Sequence, residues 1–99
     1  MFKHLFNRRR SEPRRNFDIG TTARIGDGVE VPVRIVSLSA RGFRLKGCQA
    51  AQEDAQVAII LPGYGQVFGR VVWTAGDECG GILQSPIPIA DIDLTETAA

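Results

Sequence analysis

The sequence predicts an all-β protein, a small six-stranded antiparallel β-barrel of the split-barrel kind. Six short apolar segments follow one another at intervals of roughly 8–14 residues, the spacing typical of small barrels and sandwiches. Turns that contain glycine or proline separate these segments, and no stretch carries a long helical repeat of apolar residues. With 99 residues, 43% of them hydrophobic, the chain has the size and composition of one small folded domain.

The predicted strands follow from alternation and from turn signals. They cover residues 21–25, 30–38, 43–45, 56–61, 66–74 and 79–84. The first hairpin turn is predicted at Gly26-Asp27-Gly28, because glycine and aspartate tolerate the positive φ angles of tight turns. Pro32 has no backbone N–H to donate, so it predicts a sheet edge or a barrel seam in the second strand. In the fifth strand Val67, Val71 and Trp73 are predicted to share one face, and we expect Trp73 in the core.

Basic residues are concentrated at one end of the chain. Residues 1–15 carry six basic and one acidic side chain, a net charge of +5, whereas residues 16–99 carry a net charge of −4. We therefore expect a flexible arginine-rich arm over 1–16, the barrel over 17–87, and a C-terminal tail or short helical turn over 88–99. The acidic body argues against binding of duplex DNA across a broad basic face.

The chain carries few residues suited to catalysis or to metal binding. Its single histidine, His4, lies in the predicted arm without a structured partner, so we expect neither an enzyme nor a bound metal or cofactor. Cys48 and Cys79 are the only cysteines, and neither belongs to a Cys-x-x-Cys pair. They are either ordinary thiols of a reducing compartment or a bridging or redox-sensing pair. The apolar stretch at the N-terminus is too short for a secretory signal or a membrane span, which predicts a cytoplasmic protein.

Four short motifs follow one another along the chain. The first is Arg10-Ser11-Glu12-Pro13-Arg14, preceded by further arginines, and the second is Ser37-Leu38-Ser39-Ala40-Arg41-Gly42. A strand that ends Val71-Val72-Trp73 and a return strand with Gly81-Ile82-Leu83 complete the set. This order resembles the PilZ domain, a small bacterial β-barrel that binds cyclic di-GMP and whose first two motifs are R-x-x-x-R and [D/N]-x-S-x-x-G. The resemblance spans roughly residues 8–87.

The resemblance implies a ligand site shared by the arm and the barrel surface, with cyclic di-GMP as the ligand. Its residues would be Arg9, Arg10, Arg14, Ser37, Ser39, Arg41 and Gly42. A guanidinium suits this ligand, because it donates two parallel hydrogen bonds to phosphate oxygens or to O6 and N7 of guanine and stacks on a purine. Ser39 would keep a hydroxyl for ligand contact, and Gly42 would keep the backbone freedom of the turn. An unidentified effector protein would then recognise the occupied surface.

Ser37 departs from the family's motif, which has aspartate or asparagine at that position. A hydroxyl accepts fewer hydrogen bonds from guanine than a carboxylate does, and the loss of one such bond costs about 1–3 kcal/mol. Two other functions therefore stay open. One is a barrel of the same fold that no longer binds the dinucleotide and serves as a protein-interaction module, docking through apolar residues of the arm or of the tail after Pro86. The other is a barrel that binds single-stranded nucleic acid, which the small number of aromatic residues disfavours.

Overall fold

A computed structural model describes residues 14–49 and 51–94, which form a closed six-stranded β-barrel. The strands are β1 (Arg14–Ile25), β2 (Glu30–Ser39), β3 (Gly42–Lys46), β4 (Gln56–Leu61), β5 (Gly65–Ala75) and β6 (Glu78–Leu83). Their order around the barrel is β1-β2-β3-β6-β5-β4, and each neighbouring pair is antiparallel. The predicted antiparallel six-stranded barrel is therefore confirmed.

The first strand is much longer than the sequence pattern indicated. It begins at Arg14, so its first three residues fall within the predicted arm, and it includes the segment 17–20 that precedes the predicted strand. The pattern was misleading because β1 contains a register shift against β2 between Asn16 and Ile19, and this irregularity interrupts the alternation of apolar residues. Residues 1–13, which include most of the predicted arm, lie outside the described residues.

The interior of the barrel is filled by alternate side chains of the strands. Buried apolar residues of the strands are Ile19, Ala23, Val33, Ile35, Leu38, Phe43, Leu45, Val57, Ile59, Leu61, Val67, Val71, Cys79 and Leu83. The long-range pairing between β1 and β4, from Ala23 to Ile25 and from Val57 to Ile59, closes the sheet on itself. Burial of these side chains provides the main stabilisation of the fold.

The segment after β6 crosses one end of the barrel and adds to the core. Ile87, Ile89, Ile92 and Leu94 are all at most 8% exposed. The amide of Ile87 donates to the carbonyl of Ala40 in the β2–β3 turn, at 2.8 Å. A turn over residues 89–91 takes the place of a helix. The prediction that this tail offers apolar residues for docking to a partner is therefore wrong for these four side chains, because they already pack against the barrel.

Arg15 fastens this tail to the barrel. Its Nη1 donates hydrogen bonds to the carbonyl oxygens of Ile89, at 3.0 Å, and of Ile92, at 2.6 Å. Its guanidinium also lies 5.0 Å from the centroid of the Phe17 ring, a cation–π contact. Arg15 therefore has a structural role in attaching the tail.

No helix within residues 14–49 and 51–94 has the length and apolar character needed to cross a membrane.

Candidate ligand-binding face

Residues of two predicted motifs meet on the outer face of β1, β2 and β3. Nη1 of Arg14 donates a hydrogen bond to Oγ of Ser37 over 2.7 Å. Arg14 pairs with Ser39 in the β1–β2 register. A Cβ atom at Gly42 would lie 3.0 Å from Oγ of Ser39 and 3.6 Å from Nη2 of Arg14. The fold therefore brings these four predicted site residues into one small area, where a side chain at position 42 would crowd the hydroxyl of Ser39.

A bulge in β2 places Ser37 on this face. Val33 and Ile35 point into the core, and strict alternation would send Ser37 inward as well. The register against β3 shifts between Ile35 and Ser37, so that Ser37 pairs with the exposed Arg44. Because directly paired residues share a face of the sheet, one inserted residue moves Ser37 to the outside.

The serines lie beneath the guanidinium rather than beside it. Ser37 is 3% exposed and Ser39 is 2% exposed, whereas Arg14 is exposed. A ligand that approaches this face therefore meets the Arg14 guanidinium first. Because Ser39 is buried, contact of a ligand with its hydroxyl, as the resemblance implied, requires that the atoms covering it move aside.

Two further side chains extend the face across β3, β6 and β5. Nε of Arg44 donates to a carboxylate oxygen of Glu78 at 2.9 Å, and Nη2 lies 2.8 Å from the same oxygen. Cζ of Arg44 lies 5.9 Å from the centroid of the Trp73 ring. Arg44 pairs with Gly80, and Gly80 pairs with Trp73, so the two planar groups lie on either side of a residue without a side chain. Arg44, with its charge paired to Glu78, therefore lies next to Ser37 on this face, and the Trp73 ring lies beyond Arg44.

The prediction of Trp73 as a core residue is wrong. Its side chain is 37% exposed, although Val67 and Val71 of the same strand are buried as predicted. The β5–β6 register shifts between Val71 and Trp73, and the extra residue, Val72, turns the indole outward. No residue-level pattern in a single strand reveals such a bulge. The neighbouring Gly80 is the one available signal, since a glycine inside a strand marks a close approach.

We expect the Gly80→Ala substitution to displace Trp73. A Cβ atom at position 80 would lie 2.5–2.6 Å from three indole atoms, so the ring must tilt away from β6 and become more exposed. Trp73 is the only tryptophan of the chain, and its fluorescence emission should shift to longer wavelength. Gly28→Ala is the matched control, because Gly28 lies in the β1–β2 turn with a single close neighbour, the carbonyl of Ile25, at 3.2 Å. Equal emission spectra for both variants would contradict this packing.

The other predicted arginines divide into two groups. Arg41 is exposed in the turn before β3, next to Gly42, and its backbone carbonyl accepts a hydrogen bond of 2.7 Å from the amide of Leu83. Its position is consistent with a role at the edge of the face. Arg9 and Arg10 lie outside the described residues.

The outer face continues beyond Gly42 toward β5 and β4. Gly42 pairs with Ile82, and Ile82 pairs with Arg70. Ile82 and Phe68 are both about half exposed, at 52% and 51%. With Arg24, Gln56, Arg70 and Gln84 they line an open cavity of about 590 Å³. None of the described residues predicted to bind the ligand lines this cavity.

In the part of the chain that the structure describes, no group of three or more histidine, cysteine, aspartate or glutamate side chains could hold a metal ion. Comparisons with family models, with curated proteins and with solved structures found no match to this chain. The assignment of a function therefore depends on the motifs and on the geometry described above.

Proposed function

We propose that this chain is a receptor domain that binds cyclic di-GMP on the outer face of β1, β2 and β3. The hydrogen bond from Arg14 to Ser37, beside Gly42, is the observation that carries the proposal. It joins two positions 23 residues apart in the chain, each of which resembles one of the two ligand motifs of the PilZ domain. The proposal assigns no catalytic step to the chain.

The charge of Arg14 suits a phosphodiester anion. Among the described residues its hydrogen-bond partner is a neutral hydroxyl, and no carboxylate lies within ion-pair distance of it. A phosphate oxygen that replaces the Ser37 hydroxyl would gain a charge-assisted hydrogen bond, which is about twice as strong as a neutral one. Once Arg14 binds the phosphate instead, the hydroxyl of Ser37 is free to form a hydrogen bond with the ligand.

The Arg44–Trp73 pair supplies a surface on which a guanine can stack. Stacking of a base on an aromatic ring contributes about 1–3 kcal/mol. Three strand spacings, about 14 Å along the curved sheet, separate Ser37 in β2 from Trp73 in β5. A ligand with two guanines and two phosphates can place a phosphate at Arg14 and stack a guanine on Trp73, whereas a single phosphate can interact only with Arg14.

Titration of the chain with cyclic di-GMP tests the proposal, with Trp73 fluorescence and calorimetry as readouts. GTP and single-stranded RNA at physiological salt serve as controls. We expect cyclic di-GMP to bind with a Kd below about 100 µM and to change Trp73 emission, and GTP to bind more weakly because it offers one guanine instead of two. Absence of cyclic di-GMP binding at that concentration would remove the receptor function.

A protein-interaction module is the second candidate, favoured by the exposed side chains of Phe68 and Ile82 next to Arg70. An apolar patch with a cation beside it suits an acidic, partly apolar peptide segment. In the receptor proposal the same patch is available to an effector protein. The two functions are distinguished by the titration, since a module without ligand function leaves Trp73 emission unchanged when cyclic di-GMP is added.

A further inference from the structure

The two cysteines of the chain lie against one another inside the barrel. Sγ of Cys48 and Sγ of Cys79 are 2.7 Å apart. Cys48 is 2% exposed and Cys79 is 0% exposed. The chain carries no other cysteine, so the two thiols form an isolated buried pair.

Backbone contacts hold the two thiols in this position. Cys79 in β6 pairs directly with Leu45 in β3, and Cys48 follows two residues after the end of β3. The amides of Gly47 and Cys48 both donate to the carbonyl oxygen of Asp77, at 2.8 and 3.0 Å. The loop that carries Cys48 is therefore anchored to the turn that precedes Cys79. A small side-chain rotation brings two sulfurs so placed to the S–S bond length of about 2.05 Å.

We propose that Cys48 and Cys79 are a redox modification site and form an intramolecular disulfide within the barrel. Hydrogen peroxide is a sufficient oxidant and is small enough to enter a transiently opened core. The Cys48 thiolate attacks one peroxide oxygen, which forms a sulfenic acid and releases hydroxide. The Cys79 thiolate then attacks the Cys48 sulfur and displaces the sulfenic oxygen, which leaves as water after taking up a proton. Two thiols and one peroxide thus give one disulfide and two molecules of water.

The surroundings decide which thiol reacts first and how the rate depends on pH. Burial raises the pKa of both thiols, and the pKa of Cys79 is raised further by its hydrogen bond to Cys48. At Cys48 the contact with Cys79 counteracts part of the rise caused by burial, so Cys48 ionises before Cys79 and is the attacking group. Below these raised pKa values the thiolate fraction grows about tenfold for each unit of pH. Disulfide formation should accelerate by the same factor between neutral and mildly alkaline pH.

Peroxide treatment of the folded chain tests the proposal. After treatment and acid quench, the chain is unfolded, alkylated with iodoacetamide and measured by intact mass and peptide mapping. We expect a monomer that has lost two hydrogen atoms, takes up no alkyl group and yields a cross-linked peptide pair containing Cys48 and Cys79. The urea midpoint of this form should rise by about 2 M and return to its first value after reduction.

The controls separate this site from ordinary oxidation. Cys48→Ser and Cys79→Ser each leave one thiol, so neither variant can form the intramolecular bond or gain stability from peroxide. The chain unfolded in urea shows that the dose is sufficient to oxidise accessible thiols. Two alkylated cysteines in the treated folded chain, a disulfide-linked dimer, or sulfinic acids without a cross-link would each overturn the proposal. None of these readouts depends on the nucleotide ligand, so the proposed receptor function is tested separately.

Discussion

Replacement of Arg14 by alanine is expected to weaken cyclic di-GMP binding about 30- to 150-fold, the equivalent of about 2–3 kcal/mol. The exposed Arg14 guanidinium lies above Ser37, where it can donate two hydrogen bonds to one phosphate. Alanine removes both the charge and the donors. Lysine at position 14 should recover part of the affinity, because it keeps the charge and loses the planar pair of donors.

Arg24→Ala is the matched control for this experiment. Arg24 is also an exposed arginine of β1, and its ion pair with Glu30 spans 4.0 Å between two half-exposed side chains. A loss caused only by the reduced positive charge of the chain would appear in both variants and would vanish at high salt. Binding by Arg14→Ala at the parent's affinity would refute the placement of the ligand at this face.

A second large effect is expected for Arg15→Ala, on stability and not on ligand chemistry. The substitution leaves the carbonyl oxygens of Ile89 and Ile92 without their charged donor and removes the contact with Phe17. We expect the free energy of unfolding to fall by about 2 kcal/mol, which corresponds to a Tm lower by roughly 10 °C. Urea denaturation measures the loss as a lower midpoint at unchanged slope.

Arg24→Ala is again the reference variant, because an exposed ion pair contributes at most about 1 kcal/mol. Equal midpoints for the Arg15 and Arg24 variants would show that the tail does not depend on Arg15. Together with the Arg14 variant, the set compares three arginines of one strand, each with a different expected role: ligand binding, tail attachment and surface charge.

Most of the fold could be predicted from local patterns. The strand predicted at residues 56–61 coincides with β4, Gln56–Leu61, and the other predicted strands fall on β1, β2, β3, β5 and β6 with differences at their ends. Alternation of apolar residues and glycine turns carry this information, because each depends on a few consecutive residues. Pro32 also lies where expected: it pairs with Thr22 in β1, beyond the residues of β2 that pair with β3.

The candidate site was only partly accessible from the sequence. Arg14, Ser37, Ser39 and Gly42 were identified from motifs, and the structure brings them together. Trp73 was missed because a register shift between β5 and β6 turns it outward, and Arg44 was missed because a register shift between β2 and β3 pairs it with Ser37. A shift of one residue moves a side chain from one face of a sheet to the other, and it is set by pairing with a strand distant in sequence. The alternation of apolar residues within one strand does not show how that strand pairs with its distant partner.

Arg14 and Arg15 are consecutive residues of a strand and therefore point to opposite sides of it. Arg14 lies on the outer face and donates to Ser37, whereas Arg15 donates to carbonyl oxygens of the tail. The start of β1 thus connects these two sets of contacts through one short segment of backbone. Suppose that a ligand which draws Arg14 outward also weakens the hydrogen bonds from Arg15 to the tail. Thermodynamic reciprocity then requires that an attached tail lower the affinity for that ligand by the same factor. Under that condition, binding of a ligand at the outer face would be coupled to the attachment of residues 89–92 on the other side of the strand.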